Sequence, residues 1–269
     1  MILLVLAAAT STVGVLGGLG GAVLLVPALV LSGMPVTEAA PLGLLTVAAG
    51  SVAAGPRHLV ERTVNHRLGV STELAATIGA IGGALVSGLL PERPLIWTLA
   101  AVALAAALVG GARRTVRNPA QPGLGSEHVG ERVGALSGAY QSGRGVAPYR
   151  VRRVPAGLFL IWLSGLVAGT VGASGGFIKT PVTSEIMNVP TRVAAATTTF
   201  TIGITSSAAL VVFAIQGRID AWTGSAVILG SMIGALAGAR AQSRLRAAVV
   251  RRALSIVLVI VAIILVVAS

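Results

Sequence analysis

The chain has 269 residues, 55% of them hydrophobic and only 10% charged, with a mean hydropathy of +0.91. That balance lies outside the range of ordinary soluble domains. A net charge of +12 and a pI near 11.9 would suit nucleic acid, but aromatic residues are 3% of the chain and its arginines flank apolar runs. Membrane topology therefore explains the charge, and no nucleic-acid partner is expected. The absence of cysteine removes disulfides and thiolate chemistry, and His58, His66 and His128 lack metal-ligand spacing. Neither a metal nor another cofactor is expected.

In chain order, the opening "MILLVLAAATSTVG" lacks a basic leader and reads as mature sequence. Apolar stretches of about 20 residues then recur, each long enough to cross a hydrocarbon core. Their continuity, without alternation, excludes a transmembrane β-barrel. The expected fold is all-α, a polytopic helical membrane protein. The predicted elements are a long glycine-broken segment over 2–32 and spans over 36–57, 68–90 and 94–112. After a linker come a second broken segment over 154–189 and spans over 191–216, 220–240 and 249–268. The polar stretch from 113 to 153 is rich in Pro, Gly and Arg, shows no sustained periodicity, and reads as a mobile linker. It divides the chain into repeats at 1–112 and 154–269.

The two halves look like copies. "GLGGAVLLVPALVLSGMPVTEAA" aligns with "GASGGFIKTPVTSEIMNVPTRVAA", "RTVNHRLG" with "GRIDAWTG", and "IGGALVSG" with "MIGALAGA". Such duplication is common among transporters. Each first segment is either a kinked single span or a re-entrant pair of half-helices. If both are re-entrant, 17 arginines fall on one side and only Arg93 and Arg218 on the other. The positive-inside rule prefers that arrangement. It makes the repeats inverted, with six full spans, the linker in the cytoplasm and both termini outside; eight crossings remain the alternative.

Two features point to a binding site. Breaks at Gly17–Gly21 and Gly172–Gly176 recur at the same place in both halves. Small residues there could simply pack helices. A broken helix also leaves backbone N–H groups for protein, water or ligand to satisfy, and helix N-termini suit an anion. Gly20, Gly21, Ser174, Gly175 and Gly176 are the candidates. Lys179, the sole lysine, lies in the second broken segment. A snorkelling lysine is the plain explanation, but intramembrane charges are usually functional. Glu185 lies on another helical face, so Lys179 is expected to be available for a substrate anion.

Thr197, Thr201 and Thr205 repeat every four residues and form one hydroxyl stripe, with Thr198 beside it. Such hydroxyls often bond only a carbonyl of the preceding turn; here they are candidate donors to an oxyanion. The matching first-half positions, Leu42, Thr46 and Gly50, predict an asymmetric site. Glu38 and Glu73 near span starts are explained by helix-dipole complementarity, and Asp220 by helix capping. Glu38, Glu185 or Asp220 could carry a coupling proton. "GASG" has the form seen around the nucleophile of intramembrane serine proteases, but no histidine follows His128 to act as base, so no enzyme is expected.

"GTVGASGGFIKTPV", "NVPTRVAAATTTFT" and "QGRIDAW", with "MPVTEAA" in the first half, resemble the sulfite exporter TauE/SafE family, also described as toluene sulfonate uptake permeases. Ala22 in place of a third turn glycine, Asn65 where Asp is usual, and a long linker depart from the pattern. The resemblance implies a secondary carrier of sulfite, sulfoacetate or other organosulfonates across the bacterial inner membrane. The expected partners are that small sulfur-containing anion, membrane lipid and a coupling proton, with homo-oligomerisation left open. A passive anion channel, a carrier of a non-sulfur carboxylate and a membrane scaffold are the competing readings.

Overall fold

A computed structural model describes residues 1–17, 19–112, 129–142, 145–241 and 247–267. The protein is mostly helical. The first half contains α1 (Ile2–Gly17), α2 (Ala22–Leu31), α3 (Val36–Val60), α4 (His66–Ser87) and α5 (Glu92–Ala112). The second contains α6 (Val154–Val171), α7 (Gly176–Pro181), α8 (Thr191–Ile215), α9 (Ala221–Ala241) and α10 (Ala247–Val267). Among the described residues six helices are long and apolar enough to cross a membrane: α3, α4, α5, α6, α8 and α9. In α10 the apolar stretch Arg252–Val267 is shorter than these six.

Helix directions follow from their contacts. Leu4, Ala8 and Thr12 of α1 meet Gly230, Gly234 and Gly238 of α9 in the same order, so these helices run parallel. Trp162 and Leu166 of α6 meet Gly79 and Gly83 of α4, also in parallel. On α8, Thr197 and Thr205 bond Asn65, which caps the start of α4, and Glu73 within it, again in parallel. In contrast, α3 and α8 are antiparallel, with Ser51 at Gly203 and Gly55 at Phe200. Because α6 and α8 both run parallel to α4, the chain must turn back between them. Gly175 duly lies beside Ser164, whose hydroxyl donates to its carbonyl at 2.9 Å. Gly21 lies against Ser11 in the same way. Both broken segments are therefore hairpins, and the exchange of partners between halves is consistent with the predicted inverted repeat.

The turn of the second hairpin is made by Gly172, whose φ of +70° favours glycine. A Cβ there would also lie 2.1 Å from the Ala40 carbonyl oxygen. On the return strand, Pro181 is followed by a π-helical turn over Val182–Ile186. That turn closes on the Met187 N–H, which donates to the Val182 carbonyl at 3.0 Å.

The linker corrects one expectation. Part of it forms an antiparallel sheet in the order β1 (Gly130–Glu131), β2 (Gly138–Ser142), β3 (Gly145–Tyr149). Tyr140, Ala147 and Tyr149 are buried against the base of the second hairpin, among Val182, Met187 and Val189. The Asn65 side chain donates to the Tyr149 hydroxyl at 2.8 Å and to the Leu136 carbonyl at 2.9 Å. Burial pushes the Tyr149 phenol up to about 12, so it stays neutral at physiological pH. Residues 113–128 of the linker, and His128 with them, lie outside the described residues.

Helix packing here depends on missing side chains. A Cβ on Gly83 would lie 2.0 Å from the Leu166 carbonyl oxygen, whereas one on Gly82 would meet nothing within 4 Å. Gly83→Ala should push α4 from α6 and destabilise the protein by about 1–3 kcal/mol. Gly82→Ala should be nearly silent. Thermal unfolding of the two variants in detergent checks the contrast.

Candidate functional site

The hydroxyl stripe of α8 lies across α4. Gly69 permits this approach, since a Cβ there would meet the Thr201 and Thr197 methyls at 3.0 and 3.2 Å. One turn further along α4, Glu73 points into the same seam. Its carboxylate accepts the Thr205 N–H at 2.8 Å, the Thr205 hydroxyl and the Lys179 ammonium. Lys179 reaches it from α7 and also donates to Thr201 Oγ1 at 3.3 Å. Both charges are dry: Lys179 is 2% exposed and Glu73 4%.

This arrangement answers why the sole lysine sits inside an apolar hairpin. It does not snorkel, because it is almost fully enclosed. Nor is it free for an anion in this state, as the sequence led us to expect, because it is paired with a carboxylate. Glu185 is exposed, and Glu73 takes its place. The helix-dipole account of Glu73 is corrected: the residue lies eight positions into α4, beyond the first turn where the dipole acts.

The other candidates divide. Thr201 and Thr205 belong to the Lys179 cluster. Thr197, one turn below, accepts the Asn65 N–H at 3.0 Å, and so links the stripe to the linker sheet. Ser174 receives the Gly176 N–H at 3.3 Å within the hairpin turn. Beside Gly176 stand Ile202 and the Thr198 methyl. Gly20 meets Ser174 across the two hairpin tips, while Gly21 packs on Ser11 and Thr46, away from Lys179. The α7 helix is only six residues long, so Lys179 rather than a helix dipole dominates the electrostatics.

A cavity of about 10 Å³ adjoins the pair, lined by residues that include Ser164, Gly175, Lys179, Thr205 and Ser206. That is room for one water molecule. Admission of anything larger requires the hairpin or α8 to move.

The family model for the sulfite exporter TauE/SafE family matches residues 2–265. The chain belongs to the TauE/SafE family. It is similar to the probable membrane transporter protein YunE of Bacillus subtilis strain 168, at 24% identity over 271 residues. That alignment covers 97% of this chain and 95% of YunE. No solved structure matches. Membership in a membrane-transporter family, together with six span-length apolar helices, makes this TauE/SafE protein a multi-pass membrane protein.

A buried pair is most vulnerable when one partner is removed. Lys179→Met would leave Glu73 enclosed and unpaired, at a cost of about 3 to 5 kcal/mol. Adding Glu73→Gln removes that lone charge, so the double variant should unfold at a higher temperature than Lys179→Met alone. A melting series of the three proteins in detergent measures this.

Proposed function

We propose that this TauE/SafE protein is a secondary transporter of small sulfur-containing anions across the bacterial inner membrane, with Lys179 as the charge that recognises the substrate. The observation that carries the reading is a desolvated ammonium beside the hydroxyls of Thr201 and Thr205, where a hairpin turns back in the protein interior. Charges inside a membrane protein usually mark a substrate or ion pathway. A compact ammonium and neighbouring hydroxyls can donate to the several oxygens that share the charge of a sulfite or sulfonate group. The sulfur chemistry itself is drawn from the family. Gly175, Gly176, Ser174 and Thr198 line the hairpin turn next to this charge and would shape the pocket; Gly20 and Gly21 would act through the first hairpin.

Topology supports the carrier reading. Among the described residues, Arg67 meets Glu131 of the linker sheet, Arg152 the Met187 carbonyl and Arg192 Glu61, so these arginines share one side, which the positive-inside rule makes cytoplasmic. The second hairpin then opens to the cytoplasm and the first to the exterior, as in an inverted repeat. The repeats are taken as residues 1–112 and 154–269, joined by 113–153.

Two experiments test these statements. Calorimetric titration of the purified protein with sulfite, thiosulfate, sulfoacetate and taurine should show saturable binding of at least one. Lys179→Met should lose it, and Lys179→Arg should keep weaker binding with altered preference. Unchanged affinity in the Met variant would remove Lys179 from the site.

For topology, the chain has no native cysteine. A cysteine at exposed Val133 should react with an impermeant reagent only after permeabilisation, and one at exposed Leu89 in intact cells. Labelling of Val133 from outside would reverse the orientation.

A further inference from the structure

We propose that Glu73 is the proton-coupling group of this transporter, and that the site takes a singly charged oxyanion together with one proton. The inference rests on the anion-carrier reading and specifies the charge that can move.

Charge balance in a dry site supports it. With Lys179 and Glu73 both ionised the cluster is neutral, and the ammonium is already occupied by a carboxylate. A monovalent anion entering beside them would leave a net negative charge in a low-dielectric interior, which is strongly disfavoured. Protonation of Glu73 removes the conflict. Lys179 is released to the anion, and the site is neutral again. The exchange is balanced: the ionised pair plus one anion and one proton gives an ammonium–anion pair and a neutral carboxylic acid.

Hydrogen bonding changes in the same sense. An ionised carboxylate only accepts, whereas the acid also has an O–H to donate. Thr205 already fills one oxygen of Glu73 through its N–H and hydroxyl. The other oxygen, which faces Lys179, is left to carry the proton. Protonated Glu73, Lys179 and Thr201 would then be donors around one oxyanion.

The neighbouring elements leave this role to Glu73. The α6 helix has no titratable side chain, and α8 has only Arg192, at its exposed start and bound to Glu61 at 3.4 Å. The second hairpin brings Lys179 and exposed Glu185. On α4 itself, His66 and Arg67 are exposed at the other end. Glu38, Glu185 and Asp220, the carboxylates suggested by sequence, do not meet the lysine. In the other half, the repeat alignment places Leu25 opposite Lys179 and Ile228 opposite Glu73. Among the described residues the exchange therefore has one place to occur.

An anion that moves with a proton moves down a pH gradient, so an acidic exterior drives uptake. The sign for binding is equally definite. The loaded state holds the extra proton, so affinity is high at low pH and falls about tenfold per pH unit once the carboxyl ionises.

The test uses methanesulfonate, whose single charge does not change with pH. Calorimetry of the full-length protein in two buffers of unlike ionisation enthalpy counts the protons bound with the anion. Wild type should take up close to one proton per anion in the range where affinity falls with pH. Glu73→Gln should take up none and bind with an affinity independent of pH. Wild type binding without proton uptake, or a Gln variant retaining the wild-type pH dependence, would sink the proposal. If the variant does not fold, the wild-type proton count decides alone. Failure of methanesulfonate to bind at any pH refutes the single-charge claim. Binding of sulfite or thiosulfate would in that case leave the anion reading standing, and binding of none would end both.

Discussion

Two opposite charges held away from water define the centre of this molecule. Neither Lys179 nor Glu73 could stay ionised there alone, and together they are stable only because Thr201 and Thr205 complete their hydrogen bonds. The requirement reaches outward. It fixes the register of α4 on α8, since Glu73 must meet Thr205, and the depth of α7, since Lys179 must meet Glu73. Removing side chains elsewhere makes that register attainable: Gly69 lets α4 touch α8, and Gly79 and Gly83 let it touch α6. Small residues and buried charges are thus parts of one solution.

The same frame is built twice, but the chemistry is installed once. Gly230, Gly234 and Gly238 seat α1 on α9 as their counterparts seat α6 on α4. At the corresponding place in the first half, Ser231 donates to Thr46 at 3.0 Å and no charge is present among the described residues. A neutral hydroxyl pair is cheap to bury, and it cannot recognise an anion by charge. One hairpin therefore has the demands of packing alone, and the other those of packing and electrostatics.

Much of this was legible in the sequence. Continuous apolar runs gave the helical membrane fold, and the arginine partition anticipated the two hairpins. Lys179, Thr201 and Thr205 stood out by type and spacing. Glu73 did not, because its partner is 106 residues away and the parallel register of α4 on α8 is a tertiary fact. Its signal was present nonetheless: an acid two turns inside an apolar helix is too deep for the helix dipole to explain. The linker sheet was missed for a different reason. Strands of two and five residues rich in glycine have too few positions to show alternation, and what orders them is contact with Asn65 and the hairpin base.

The meeting of the two hairpin tips has a mechanical consequence. A methyl group on Gly20 would stand 3.1 Å from the Ser174 hydroxyl oxygen, so there is no slack between a hairpin open at one end of the molecule and its counterpart open at the other. Any closer approach of the two turns meets side-chain contact at this point, so the position of one tip limits that of the other.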